Sequence, residues 1–325
     1  MSTKRNGRDL WWDALKDFLD AGRYWTLGVV LLFVGLIAYL IVVYGLPAVR
    51  NAVISEAVGS LGVTAWHEAG FDGRGERVGL IAVGFENYRR LVYRELPGYW
   101  SIDRHHFGSA SDEPLDPLAL RRGTALGEVL FDILPRSGAE FYSCGGGLDS
   151  VVESLGRAAS GYPTVTLLSC DLGFGLPRSE IDRLEGWIGR MRRHRYLIVV
   201  PICGPGATVS CCVPSAWTVG AVVGPEHTPM DPPHLGTPDF VAPGTAPTVT
   251  FGRRVTDGVY PLAGADVAAA YVAAVAALVW QAYPKMTIDE LEAYLAEHAI
   301  DLGEPGFDNV YGHGLVRLPA PPSGD

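Results

Sequence analysis

Gly264-Ala-Asp-Val-Ala-Ala-Ala-Tyr-Val-Ala-Ala-Val-Ala-Ala-Leu-Val-Trp-Gln-Ala-Tyr-Pro284 runs nineteen residues without a strong helix breaker. It is crowded with alanine, the residue of highest helix propensity. Pro284 closes it, because the residue before a proline is pushed out of the helical region. Apolar side chains occupy nearly every face, so the stretch predicts a buried central helix and not a surface one. The chain before it supplies strands for that helix to pack on. Val78–Val83, Ala139–Ser143 and the run beginning Tyr196-Leu-Ile-Val-Val-Pro201 read as buried strands, with helices predicted over Gly147–Ala158 and residues 178–194. Strands that alternate with helices call for a parallel sheet covered on both faces, a three-layer α/β/α sandwich. In the second helix Ile181, Leu184, Trp187, Ile188 and Met191 recur at helical spacing, a stripe that core packing explains.

Towards the N-terminus the composition changes. Trp25 to Leu46 contains no charged residue, and about 20 apolar residues are enough to cross the hydrocarbon core. Tyr24, Trp25 and Tyr44 sit at or near its ends, as interfacial aromatics do. No small-x-small cleavage site follows Leu46 cleanly, so an uncleaved anchor is expected in preference to a signal peptide. Lys4, Arg5, Arg8, Lys16 and Arg23 precede the run, and only Arg50 lies in the twenty residues after it. That asymmetry puts the N-terminus in the cytoplasm and the bulk of the chain outside, extracellular or periplasmic. Residues 10–24 place Trp11, Leu15, Phe18 and Gly22 on one helical face and Asp13, Lys16, Asp17 and Asp20 on the other. This suits either an interfacial helix or an extension of the spanning one. The expected division is a cytoplasmic segment 1–24, a transmembrane helix 25–46, a connector 47–64, a globular domain 65–318 and a tail 319–325. The lipid bilayer and other membrane proteins are the expected partners.

The formal charge of −10 excludes nonspecific nucleic-acid binding, which needs a basic face. Five cysteines leave at least one unpaired in a single chain, and proximity favours Cys203 with Cys211 or Cys212. No spacing points to a zinc site, and neither a metal nor a cofactor is expected. The mean hydropathy of +0.16 is high for a soluble protein, in part because of the anchor.

A series of short motifs, in one order from about residue 65 to 317, resembles those of subtilisin-like serine peptidases (subtilases). Glycine-rich turns lead into Val78–Val83, where the family has a first strand ending Asp-Ser/Thr-Gly; here the aspartate position is Ala82. Arg121-Arg-Gly-Thr-Ala-Leu-Gly-Glu128 is similar to His-Gly-Thr-His-Val-Ala-Gly, with Arg122 at the histidine. Thr164-Val-Thr-Leu-Leu-Ser-Cys-Asp-Leu-Gly173 resembles the strand ending Asn-Met-Ser-Leu-Gly, whose edge holds substrate, so Asp171, Leu172 and Gly173 are the candidate cleft edge. The strand from Tyr196 ends at Pro205, where the family has the oxyanion asparagine. Gly264-Ala-Asp-Val-Ala-Ala resembles the nucleophile segment Gly-Thr-Ser-Met-Ala, with Asp266 at the serine. Val213–Val222, Pro238–Gly244 and Tyr311–Val316 match further segments.

The resemblance implies a subtilisin-like sheet with every catalytic position replaced. A serine peptidase needs a nucleophile, a base, a carboxylate to orient the base, and oxyanion donors. Arginine stays protonated near neutral pH and cannot serve as base. Asp266 at a helix N-terminus is held as a carboxylate, a poor nucleophile toward an amide. Pro205 has no N–H to offer an oxyanion. The resemblance also places Arg122 face to face with Asp266, which predicts a salt bridge; the simpler alternative is Asp266 as a helix cap. Glu86, His105-His106, His227 and His234 could in principle supply relocated chemistry, although loop histidines are ordinarily polar surface. The family's long pro-segment finds no room between residues 47 and 64. The expectation is an inactive, membrane-anchored subtilase-like protein serving as a subunit of a membrane complex. The alternatives are a module that captures extended peptides without cutting them, and a hydrolase with relocated residues.

Overall fold

The structure, a computed structural model, describes residues 54–98, 102–105, 118–144, 147–161, 164–170, 177–202, 213–230, 236–252 and 258–322, with Leu32 and Gly35. The predicted segment 10–24 lies outside the described residues, as do Asp171, Leu172, Gly173, Pro205 and Cys203, Cys211 and Cys212. So does the apolar run 25–46, apart from Leu32 and Gly35, which are helical. The chain divides into two units, Met1–Val49 and Arg50–Asp325, and the sheet and its helices belong to the second.

The central strand is β1 (Arg77–Ala82), paired in parallel with β3 (Gly138–Ser143) on one side and β4 (Val165–Ser169) on the other. Beyond β3 lies β2 (Ile102–His105). Beyond β4 follow β5 (Leu197–Pro201) and β6 (Trp217–Val223), all parallel. The far edge adds the two-residue antiparallel β7 (Thr228–Pro229) and the parallel β8 (Phe240–Pro243). A hairpin of β9 (Thr245–Thr248) and β10 (Tyr260–Ala263) stands apart from the sheet.

Both faces of the sheet are covered, which explains why β1 and β5 read as nearly continuous apolar runs. The two-residue period of a strand then sorts neighbours to opposite cores. Val78, Leu80, Phe141, Leu167, Leu197 and Val199 face one cluster; Ile81, Tyr142, Leu168, Ile198 and Val200 face the other. Gly79 is required by close approach, since a Cβ there would lie 2.5 Å from Thr166 Oγ1.

The first core is built around α7 (Ala265–Ala282), which is buried from Ala265 to Trp280. Alanine suits that place because its small side chain lets the helix backbone lie close to the sheet. Among the described residues α7 is also the one helix long and apolar enough to cross a membrane, yet here its apolar surface is spent inside the domain. With it pack α1 (Ala57–Ser60), α2 (Val63–Glu68), α4 (Ala119–Ile133) and α8 (Ile288–His298); the short α3 (Tyr88–Leu91) adds Tyr88 and Leu91. The second core lies under α5 (Leu148–Ser160) and α6 (Arg178–Arg193). Of the predicted α6 stripe, Leu184, Ile188 and Met191 are buried, while Trp187 is half-covered with the Arg190 guanidinium 4.5 Å from its ring centre.

The segment expected as connector over 47–64 is not all linker. Ala57, Val58, Leu61 and Val63 belong to the core, and Ser55 is buried. Tyr271 Oη donates to Ser55 Oγ at 2.6 Å, and the Ser55 N–H donates to Asp132 Oδ2 at 3.2 Å. The C-terminal end is held at the same place, where Leu318 N–H donates to Leu61 O and Trp66 Nε1 donates to Pro319 O.

Candidate functional site

The C-terminal ends of β1 and β4 and the N-termini of α4 and α7 share one edge of the sheet. In open α/β sheets the crevice outside the carboxyl ends of the strands is the ordinary ligand position. Asp266 is the second residue of α7, and Arg122 lies in the first turn of α4. The two meet although 144 residues separate them: Arg122 Nε donates to Asp266 Oδ2 at 2.5 Å, and Nη2 donates to Oδ1 at 2.6 Å. This is the parallel two-bond geometry in which a guanidinium holds a carboxylate most firmly. Arg122 Nη2 also donates to Ala263 O at 2.9 Å.

Asp266 is buried, its side chain 9% exposed against 39% for Arg122. Its Oδ1 also accepts from the Val267 N–H at 3.0 Å, and Ser169 Oγ at the end of β4 reaches Oδ2 at 3.5 Å. Asp266 therefore bonds its own helix end and the arginine together. Gly264 makes room for the pair: its φ is 141°, and a Cβ there would lie 2.8 Å from both Arg122 Nη2 and Asp266 Oδ1. No side chain fits that space.

Ala82 ends β1 beside Gly123, where a Cβ would come within 2.9 Å of the Ala82 methyl and 2.5 Å of Gly84 O. The loop after β1 is tied to α4 by Gly123 N–H to Gly84 O, Glu86 N–H to Leu120 O, and Thr124 Oγ1 to Glu86 O. Glu86 is drawn toward Arg121, at 4.0 Å, and not toward Arg122. His105 ends β2, and His227 lies in the turn between β6 and β7 with φ 49°. His106 and His234 lie outside the described residues. Among the described residues no group of three His, Cys, Asp or Glu side chains could hold a metal.

Two features escaped sequence reasoning. A disulfide joins Cys144 to Cys170, with Cα atoms 6.5 Å apart and both residues buried. Each cysteine follows a strand-terminal serine, one on β3 and one on β4, so the bridge closes over the end of β1 between them. Cys144 N–H donates to Ala82 O at 2.9 Å. Only the strand order reveals this proximity, because the two lie 26 residues apart in sequence.

The second is Glu128, a buried carboxylate in α4. It accepts from Thr248 Oγ1 at 2.6 Å, Val249 N–H at 3.0 Å, Thr250 N–H at 3.1 Å and Thr250 Oγ1. It thus pins the strand end after β9 to the helix that carries Arg122. The signal was a pair of acids one turn apart, Glu128 and Asp132, in the otherwise apolar second half of α4. Burial pushes its carboxyl above the ordinary 4.5, against the pull of these hydrogen bonds. A carboxyl with a raised folded pKa binds its proton more tightly in the folded state. Its contribution is therefore complete below 4.5 and is lost as pH rises through the folded value. In urea titrations at a series of pH values, the stability of the native chain relative to Glu128→Gln is expected to fall as pH rises above 4.5. Parallel curves for the two proteins would show that Glu128 does not titrate differently on folding.

Residues 228–314 match the subtilase family. A stretch of 55 residues is 42% identical to an extracellular serine protease of Serratia marcescens, but it amounts to 17% of this chain and 5% of that protein. The crystal structure of a lanthipeptide protease superposes with a TM-score of 0.57 at 17% identity, covering 82% of this chain and 97% of that one. MycP1 with its N-terminal propeptide removed gives 0.59 at 20% identity, covering 81% and 95%. The domain has a subtilisin-like fold.

Proposed function

We propose that this chain is a membrane-anchored subtilase-like protein without proteolytic activity, acting as a structural or accessory subunit of a membrane complex. The observation that carries the reading is the Arg122–Asp266 pair. The family resemblance assigns these two positions to the base and the nucleophile, and here they are spent on each other. A guanidinium has no basic lone pair to accept a proton near neutral pH. The carboxylate it holds has its oxygens occupied by donors. Ala82 brings no charge to the third position. A bidentate pair at the head of α7 leaves a nucleophile no place of its own.

An outside location is supported by the Lys/Arg asymmetry about residues 25–46. The buried Cys144–Cys170 bridge fits it, since structural disulfides persist in oxidising compartments. The test uses the full-length chain solubilised from native membranes in mild detergent, treated with a fluorophosphonate probe and run on a blue-native gel. The expected result is an unlabelled chain that migrates with other membrane proteins. A probe adduct on any serine of the domain would overturn the inactive assignment, and migration as a lone monomer would overturn the subunit role.

A further inference from the structure

One face of the domain carries apolar side chains that the core does not use. Ile54, Val223 and Val259 are 49%, 43% and 52% exposed, and they rim a groove of about 730 Å³. Its floor includes Val222, Pro243 and Pro247; Glu56 and His227 also line it, and among the described residues no Lys or Arg does. Single exposed apolar residues are ordinary, but several around one concavity mark an interaction surface.

The place of the groove along the chain limits what can cover it. Ser55, on its wall, is fixed to the core by Tyr271 and Asp132, so the described part of the domain begins at this rim. Only seven residues, 47–53, separate Ile54 from the end of the apolar run at Leu46. Fully extended, that stretch reaches at most about 29 Å. If residues 25–46 cross the membrane, as the proposed function holds, this rim cannot lie far from the bilayer surface.

We propose that the groove and its rim are a lipid-contact surface, seated in the interfacial layer of the membrane that anchors the chain. Ile54, Val223 and Val259 project as apolar prongs, and acyl chains fill the space between them. Among the described residues the lining holds Glu56 and no Lys or Arg, so the site favours zwitterionic over anionic lipid. The inference rests on the membrane-anchored reading.

The test places the photo-crosslinker p-benzoylphenylalanine at Val223, at Val259, or at Phe307, an exposed apolar residue away from the groove. The full chain is reconstituted in phosphatidylcholine nanodiscs, and alkaline-carbonate extraction is run in parallel on native membranes. Adducts carrying lipid mass are expected at 223 and 259 and not at 307. Lipid adducts at all three positions, or only with anionic lipid present, would overturn the proposal. In native membranes, adducts to protein alone at 223 and 259 would assign the groove to a protein partner instead. No lipid adduct from a chain that resists carbonate would refute the contact and leave the anchor standing. Release of the chain by carbonate would remove the anchor, and the contact with it.

Discussion

Loss of the Cys144–Cys170 bridge is expected to destabilise the domain by about 3.5 kcal/mol, the loop-closure cost released by opening a loop of this length. The sequence separation is 26 residues, and the loop contains the whole of α5. Both sulfurs are buried at the ends of β3 and β4, so reductant should reach them slowly in the native state and at once in denaturant. The measurement compares urea midpoints of the native chain and the Cys144→Ala/Cys170→Ala double variant, with and without reductant. A lower midpoint is expected for the variant and for the reduced native chain, with a slope no shallower, since the unbridged unfolded chain exposes more surface. Equal midpoints in all four conditions would mean that the bridge constrains nothing in the unfolded chain.

Breaking the Arg122–Asp266 pair from one side comes second in size. Removing one partner of a buried ion pair costs about 3–5 kcal/mol. Arg122 is more than a third exposed, and water will compensate part of that, so about 2–3 kcal/mol is expected for Asp266→Ala or Arg122→Ala. The two losses should not add, because the second substitution removes a group that has already lost its partner. Replacing both with apolar residues of similar size, Arg122→Met with Asp266→Leu, should cost less than either single change. A double-mutant cycle by denaturant unfolding reads the coupling directly. Additive losses would show that Asp266 acts only as the first-turn carboxylate of α7.

The architecture was legible wherever burial imposed a simple pattern. The strands β1 and β5 are covered on both faces and read as nearly unbroken apolar runs. The helix α7 read as a buried helix because alanine and valine surround it. What the pattern hides is polar and nonlocal. Residues 54–64 resembled a linker because Ser55, Glu56, Gly59, Ser60 and Gly62 dilute the apolar positions, yet Leu61 and Val63 are core. Glu128 passed as one charge on a helix until its four donors from a distant segment appeared. The nearness of Arg122 to Asp266 cannot be read from spacing at all. Only the order of the family motifs placed them opposite each other, and the structure has them hydrogen-bonded. Nearest-neighbour reasoning pointed to Cys203 and its neighbours, which lie outside the described residues, and overlooked a bridge that only the strand order brings together.

The same pair bears on how this chain could change over generations. Placing a serine at 266 alone would strand Arg122 without its carboxylate, and placing a histidine at 122 alone would leave a buried carboxylate short of two donors. Each single change therefore loses stability, whatever chemistry it introduces. Domains survive on a small stability margin, so such intermediates are selected against. The pair acts as a latch: once both residues are in place, neither can be exchanged alone without a loss of stability.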